Sequence, residues 1–260
     1  LQDQHYNLEA LLDPRSDNSD RNLARAALAE GDATAVMIDA ERYERGLSPL
    51  ADDKNIDGLI LQQILGMNIG SQTGSVPESV KATLIFPYSS GLRFVHTILR
   101  QGGYGALRAV YKRPPASSRE ILHPEEYLAQ NFKLNNPSNN EISSRGAMRA
   151  IEYSDIVGEF VISSLFANDS SRRIQGVEAA RGWQGDRVAV GTKVDGTRAI
   201  AWMTRWESQK DAREFKEAYA AYLGARYNKV IGDQRVQLND VKAVTIQSDG
   251  TEVVALFDIS

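Results

Sequence analysis

Two Asp-Gly pairs in the last third of the chain constrain its fold more than any other feature. Each pair lies between two runs of strand-forming composition: residues 187–194 and 197–206 around Asp195-Gly196, and residues 244–248 and 251–257 around Asp249-Gly250. A two-residue Asp-Gly connection is a strong β-hairpin signal, because a type I′ turn requires positive φ at both of its central positions. The sequence therefore predicts two antiparallel hairpins.

The segment between the hairpins, residues 208–227, has the apolar spacing of an amphipathic helix. Its apolar positions are Ala212, Phe215, Ala218, Tyr219 and Tyr222. We therefore predict that residues 151–260 form a C-terminal α/β lobe, in which this helix covers a mostly antiparallel four-stranded sheet. The edge strand expected near residues 235–238 would be the place where the sheet binds a protein partner.

The first half of the chain has helical rather than strand patterns, so residues 1–130 are predicted to form a helical lobe. Residues 131–150 are rich in Asn, Ser and Pro, and are predicted to form a polar loop between the lobes. The expected fold class is thus α+β. The chain does not begin with Met and opens inside a segment of helical pattern. We therefore expect its true N-terminus, with any signal peptide, to lie upstream.

The composition of the chain excludes several classes of protein. Its 260 residues carry a formal charge of −4 without a basic cluster, which argues against a general nucleic-acid-binding protein. No stretch approaches the roughly 18 apolar residues of a transmembrane helix. Cysteine is absent, which excludes a thiol nucleophile, a disulfide framework and cysteine-based metal sites.

Glu30 is the first candidate for a chemical role. Its helical run places it near the centre of a stripe of small apolar residues, formed by Leu23, Ala26, Ala27, Ala33, Thr34 and Met37. Such a stripe should face the interior, where a carboxylate is costly unless it is ion-paired, protonated or bound to a metal. Both an arginine ion pair and a metal or acid/base role stay open, and Gly31 fits either, because glycine lets another backbone approach closely. The opposite face, predicted to be solvated, carries Arg21, Arg25, Asp32 and Asp39.

The three histidines are the other candidate ligands. His5, His96 and His123 are isolated in the sequence, and no two of them have the one-turn spacing of a helical metal site. His5 and His96 fit structural positions in amphipathic segments. His123 precedes Pro124, and the residue before a proline avoids the α region. We therefore predict that His123 interrupts a helix and has a loop-like conformation.

Several short motifs that resemble those of one protein group occur in order over nearly the whole chain. They are residues 1–8, the Ala-Leu-x-Glu-Gly-Asp-Ala-Thr pattern at 27–34, Phe86-Pro87-Tyr88, Gly102-Gly103-Tyr104, Pro-Pro-x-Ser at 114–117, Ile-Leu-His-Pro-Glu-x-Tyr at 121–127, Gly-Trp-x-Gly-Asp-Arg at 182–187 and Thr204-Arg205-Trp206. Together they resemble a group of bacterial, largely uncharacterised zinc-metallopeptidase-like proteins of the gluzincin, or thermolysin-like, class. In that group a zinc-binding helix with the HExxH motif runs directly into a segment like residues 1–8.

The resemblance assigns roles to particular residues. In gluzincins the two histidines of HExxH and a glutamate from a following helix bind zinc, and the fourth position holds a water molecule whose pKa the metal lowers. By this resemblance Glu30 is the third zinc ligand, on an apolar stripe because zinc lies between two packed helices. Thr34 stands where the class has an aspartate that orients a zinc-bound histidine. His123 is the candidate for stabilising the oxyanion.

The printed sequence contains no HExxH motif, so two functions stay open. In the first, the chain is the C-terminal portion of an extracytoplasmic bacterial zinc metallopeptidase (secreted, periplasmic or membrane-attached) that acts on peptides or proteins. Residues 1–260 alone would then neither bind zinc tightly nor hydrolyse peptides. In the second, the fold is catalytically inactive, holds no metal and serves as an accessory or protein-binding subunit.

Overall fold

The chain folds into two compact units of the α+β class. A computed structural model describes residues 6–13, 16–66, 76–166 and 176–259, so the predictions made for His5 and the first residues lie outside the described ranges. The first unit comprises Leu1–Ser16 and Asp20–Phe132, and the second comprises Asp17–Ser19 and Lys133–Ser260. None of the helices in the described ranges is long and apolar enough to cross a membrane.

The first unit is helical, as the sequence predicts. Its helices are α1 (Leu8–Leu11), α2 (Ser19–Glu44), α3 (Ile56–Gly66), α4 (Glu78–Val110), α5 (Ser118–Leu122) and α6 (Pro124–Ala129), with a 3₁₀ turn at Leu50–Asp52. Helix α4 is broken at Gly102 and Gly103, whose backbone angles are not helical. His123 lies between α5 and α6, which confirms that the His123-Pro124 pair ends one helix and begins another.

Helices α2 and α4 touch backbone to backbone at two glycines. A Cβ atom on Gly31 would lie 2.4 Å from the carbonyl carbon and oxygen of Gly91, and a Cβ on Gly91 would lie 2.1 Å from the carbonyl oxygen of Ala27. The expectation that Gly31 admits another backbone is therefore confirmed. This contact fixes the side of α2 that is buried, because no larger residue fits at the crossing.

The second unit contains a six-stranded sheet, three helices whose bounds are fully described and a helical segment at residues 176–180. The helices are α7 (Asn139–Arg145), α8 (Gly158–Leu165) and α9 (Gln209–Tyr227), and the strands are β1 (Met148–Asp155), β2 (Trp183–Lys193), β3 (Arg198–Trp206), β4 (Val236–Asn239), β5 (Lys242–Asp249) and β6 (Glu252–Ile259). The strand order is β1-β2-β3-β6-β5-β4, and every neighbouring pair is antiparallel.

The predicted four-stranded sheet is wrong in its number of strands, although the antiparallel arrangement is confirmed. The two additional strands, β1 and β4, lie at the edges. Strand β1 shows no simple alternation, because register shifts break its pairing with β2 in two places. Strand β4 has four residues, too few for a clear period in the sequence. Its position at an edge agrees with the edge strand expected near residues 235–238.

Residues 131–150 are not simply the predicted polar loop, because they contain α7 and the start of β1. Ser138 and Glu141 form a capping box, in which each side chain accepts a hydrogen bond from the backbone N–H of the other. The carboxylate of Glu141 accepts hydrogen bonds from the backbone N–H of Ser138 and from the side chains of Arg205 and Ser138, and these bonds lower the pKa of Glu141 to about 2. The polar composition that indicated a loop therefore reflects, in part, the cap of a short helix.

Both predicted hairpins form, but neither has a type I′ turn. In the first, Gly196 has φ of 86° and its N–H donates to Lys193 O, so the loop is a turn followed by a glycine bulge. In the second, Asp249 pairs with Glu252, and Gly250, with φ of 60°, occupies the first central position, as in a type II′ turn. Only the glycine has positive φ in each case, so the aspartates were assigned the wrong conformation.

Helices cover both faces of the sheet. On one face, the ring centroid of Phe215 in α9 lies 5.4 Å from that of Trp202 and 4.7 Å from that of Trp206, which confirms the predicted covering helix. On the other face, Ile142 of α7 belongs to a buried cluster with Met203. The side chains of successive residues in a strand point to opposite faces of the sheet. Strand β3 therefore contributes buried side chains to the core on each face.

Candidate functional site

Glu30 lies on α2 with its side chain partly exposed, and the stripe around it is divided between buried and open positions. Ala27 and Thr34 are buried. Ala33 is exposed, Met37 is 54% exposed and Ala26 is half-buried. The expectation that this stripe faces the interior is therefore met only in part. The buried residues of α2 include these two stripe positions together with Ala24, Leu28, Gly31, Ala35 and Ile38. The faces of an alanine-rich helix differ little in hydrophobicity. The backbone contact between Gly31 and Gly91 therefore has a large part in determining which side packs.

The carboxylate of Glu30 has no hydrogen bond or ion pair within the described ranges. The alternative in which an arginine of another helix pairs with Glu30 therefore finds no support there. The negative charge of Glu30 acts on Tyr88 of α4. Burial and that charge together raise the pKa of Tyr88. Tyr88 therefore stays protonated at neutral pH and can donate a hydrogen bond near Glu30.

The face of α2 that was predicted to be solvated instead carries packed acidic residues. Asp32 is 5% exposed and accepts a hydrogen bond of 2.8 Å from the hydroxyl of Tyr111. Asp39 accepts one of 2.9 Å from the hydroxyl of Tyr104. The prediction failed because it treated these carboxylates as needing water, whereas tyrosines of α4 and of its C-terminal end supply the donors.

The segment before α2 runs back along that helix. Tyr6 stacks on Tyr111 with ring centroids 3.7 Å apart, and Tyr111 in turn bonds to Asp32, two residues after Glu30. Arg25 of α2 donates to the backbone oxygen of Leu11 at 3.1 Å. These contacts hold residues 6–11 against the helix that carries Glu30.

His123 is half-buried at the junction of α5 and α6. Its backbone N–H donates to Arg119 O at 2.8 Å, and its carbonyl oxygen accepts from Glu126 N at 3.0 Å. No hydrogen bond joins the side chains of His123 and Glu30 within the described part of the chain. The oxyanion role of His123 stays a prediction.

His96 is 5% exposed, and its Nε2 donates to Asp53 O at 3.1 Å, which confirms the structural assignment. Burial lowers the pKa of His96 below its usual value of 6.5. Below that pH the unfolded chain binds a proton that the folded chain resists, so the fold loses stability as the pH falls.

We expect the free energy of unfolding of the first unit to fall between about pH 7 and about pH 5 more steeply in the native protein than in His96→Gln. Urea unfolding followed by circular dichroism at several pH values gives the free energy of unfolding against pH for both proteins. The two slopes are then compared. Equal slopes would mean that His96 does not resist protonation in the folded chain.

The described ranges hold no group of three His, Cys, Asp or Glu side chains that could bind a metal ion. Glu30 is therefore at most a single ligand, and any further ligands must come from outside these ranges.

Asp186 is a second buried carboxylate, but its bonds leave no room for a ligand. Its Oδ1 accepts from Gly158 N at 2.9 Å and Trp183 Nε1 at 3.1 Å. Its Oδ2 accepts from Val157 N and Trp202 Nε1, each at 3.0 Å. Burial raises the pKa of Asp186, and the four N–H donors oppose that rise. Asp186 thus caps α8 and anchors two indoles.

The rest of the Gly-Trp-x-Gly-Asp-Arg motif is also explained by structure. Gly182 has φ of 78°, and a Cβ on Gly185 would lie 2.4 Å from Asn135 O. Arg187 Nε donates to Pro137 O at 2.7 Å. Gly182, Trp183, Gly185, Asp186 and Arg187 therefore each have a structural role in this unit.

Comparison with known proteins reaches the second unit alone. Residues 149–258 match a family model described as a domain of unknown function (DUF8575). The match does not include Glu30, Tyr88 or His123. No curated protein and no solved structure matches the chain.

Tyr88 is the residue near Glu30 that the sequence analysis did not assign a role. It was already part of the Phe86-Pro87-Tyr88 motif. The resemblance therefore included Tyr88 without giving it a role. The proximity of Tyr88 to Glu30 depends on how α4 crosses α2, and no local sequence pattern contains that information.

Proposed function

We propose that this chain is the C-terminal portion of a zinc-metallopeptidase-like protein, in which Glu30 is one ligand of a zinc ion whose histidine ligands lie on an HExxH helix upstream of residue 1. The observation that carries the proposal is the carboxylate of Glu30, which has no hydrogen bond or ion pair within the described ranges and lies beside the exposed residues Ala33 and Met37 of α2. Its charge is left unpaired within the described ranges, as a metal ligand requires.

The stripe around Glu30 suits the docking of another helix. Ala26 and Ala33 are small, so the axis of a second helix could approach α2 closely, and Met37 would fill the remaining gap. The contacts of Tyr6 and Leu11 place residues 6–11 beside α2, the helix that carries Glu30. An extracytoplasmic location is part of the same proposal and rests on the resemblance.

Within such a site the chain's own residues would hold the metal and orient the groups bound to it. Glu30 would bind the metal, and the protonated hydroxyl of Tyr88 would donate a hydrogen bond to Glu30 or to a bound carbonyl oxygen. A bound zinc ion would supply a water molecule of lowered pKa for peptide hydrolysis. His123 is proposed as a further oxyanion donor on the resemblance alone.

A catalytically inactive, protein-binding role is the second candidate. The family match covers the sheet-containing unit without Glu30, so that unit could be the functional part by itself. In this case the second unit would be the functional part, and Glu30 would contribute only to the stability or solubility of α2.

The test is the zinc content of the protein expressed with its own upstream sequence. We expect one equivalent of zinc in the native form and its loss in Glu30→Gln. Glu44→Gln, an exposed carboxylate at the end of the same helix, is the matched control and should retain the metal. Retention of zinc by Glu30→Gln, or an upstream sequence without HExxH, would contradict the proposal and favour the inactive fold.

A further inference from the structure

The outer edge of β5 is only partly paired. Strand β4 pairs with β5 from Lys242 to Val244, whereas β5 continues to Asp249. Residues 245–249 thus have β6 on one side and no strand on the other within the described ranges. At about 3.4 Å per residue this is an edge of roughly 17 Å.

The hydrogen-bonding direction along this edge follows from the hairpin. The pair Asp249–Glu252 closes a two-residue turn, so these residues bond to each other across the hairpin. Alternation then directs the backbone N–H and C=O groups of Ile246 and Ser248 away from β6. Gln247 and Ser248 are exposed, so the end of this edge is accessible.

Two cavities lie on either side of the edge. The first, of about 540 Å³, has an apolar floor of Ala212, Ile231 and Ile246, with α9 as its wall. The second, of about 440 Å³, is lined by Gln247, Val254 and polar side chains. Ile246 and Gln247 are successive residues of a strand, so their side chains lie on opposite faces.

A charged pair separates the two cavities. Lys216 and Asp233 form an ion pair, and both residues line both cavities, as does Ser248. Lys216 Nζ also lies 3.4 Å from Ser248 Oγ. Charged side chains at a strand edge oppose uncontrolled pairing between sheets. Asp233 is 72% exposed, so a partner can displace it from Lys216 at little cost.

We propose that an extended peptide segment of a partner protein adds as a strand to residues 245–249 of β5. Free backbone N–H and C=O groups on one side of a strand are complementary to another extended backbone. Side chains of the added strand would alternate between the two cavities, an apolar one entering the floor of Ala212, Ile231 and Ile246. This site is independent of the proposed metal site.

The experiment is selection of short random peptides, displayed on phage, against the intact chain. We expect the enriched peptides to contain an apolar residue flanked by residues that favour the extended β conformation. Methylation of alternate peptide nitrogens should weaken binding about tenfold or more, and methylation of the others should not, as measured by fluorescence anisotropy. Ser248→Pro, which removes an outward N–H, should weaken binding comparably, and the matched control Ser248→Ala should not.

Three results would overturn the inference. One is the absence of enriched peptides, and another is binding that responds equally to methylation at every nitrogen. The third is a dimer of this chain, seen by light scattering, that Ser248→Pro dissociates, since a second copy would then occupy the edge. The methylated peptides keep the test decisive even where Ser248→Pro disturbs folding.

Discussion

Replacement of Asp186 by Asn should lower the free energy of unfolding of the second unit by about 3–5 kcal/mol, because each buried donor left without a partner costs about 1–3 kcal/mol. Each carboxylate oxygen of Asp186 accepts one backbone N–H and one indole N–H. Either orientation of an Asn amide would turn its NH₂ group toward two of these donors. An effect of that size would make the variant poorly folded near room temperature.

Tryptophan fluorescence during urea unfolding measures this effect directly. All three tryptophans of the chain lie in the second unit, and the indoles of Trp183 and Trp202 bond to Asp186 itself. Asp240→Asn, an exposed carboxylate beside β4, is the matched control and should leave the unfolding midpoint unchanged. A stable Asp186→Asn protein would show that the four donors are not needed by the fold.

Replacement of Gly91 by Ala should destabilise the first unit by about 1–3 kcal/mol through overpacking. The new methyl group would lie 2.1 Å from the carbonyl oxygen of Ala27, and backbone atoms cannot rotate away as a side chain can. Helices α2 and α4 would have to separate, which would also move Tyr88 relative to Glu30. Hydrogen exchange of peptides from the two helices measures the loss of protection.

Gly105→Ala is the matched control within α4. No atom lies within 4 Å of a Cβ at Gly105, and the position is exposed. Alanine there should stabilise the helix by about 0.5–1 kcal/mol, because it reduces the conformational freedom of the unfolded chain. If both alanines had the same effect, close packing at Gly91 would not be the cause.

Local patterns predicted the elements whose signals lie within a few neighbouring residues. The two hairpins, helix α9 and the break at His123-Pro124 each depend on short-range chemistry, namely turn glycines, apolar periodicity and the restriction before proline. Gly31 likewise indicated a close backbone contact. These predictions succeeded because each feature has a conformational preference that tertiary packing reinforces.

Predictions about which face is buried were less successful. The stripe around Glu30 was expected inside, but Ala33 and Met37 are exposed, whereas Asp32 was expected in water and is buried against Tyr111. Both depend on partners about sixty to eighty residues away in the chain, which local periodicity does not contain. The same reason explains why Tyr88 was not connected with Glu30.

The sequence by itself determined the α+β class, the antiparallel hairpins, the helical first half and the exclusion of cysteine chemistry. Only the tertiary structure decided the edge strand β1, the incomplete pairing of β4 that leaves part of β5 free, and the four N–H donors of Asp186. The physical reason is that turns and helix ends are set by backbone preferences of adjacent residues. Strand pairing, burial and the satisfaction of charges depend instead on residues that only folding brings together.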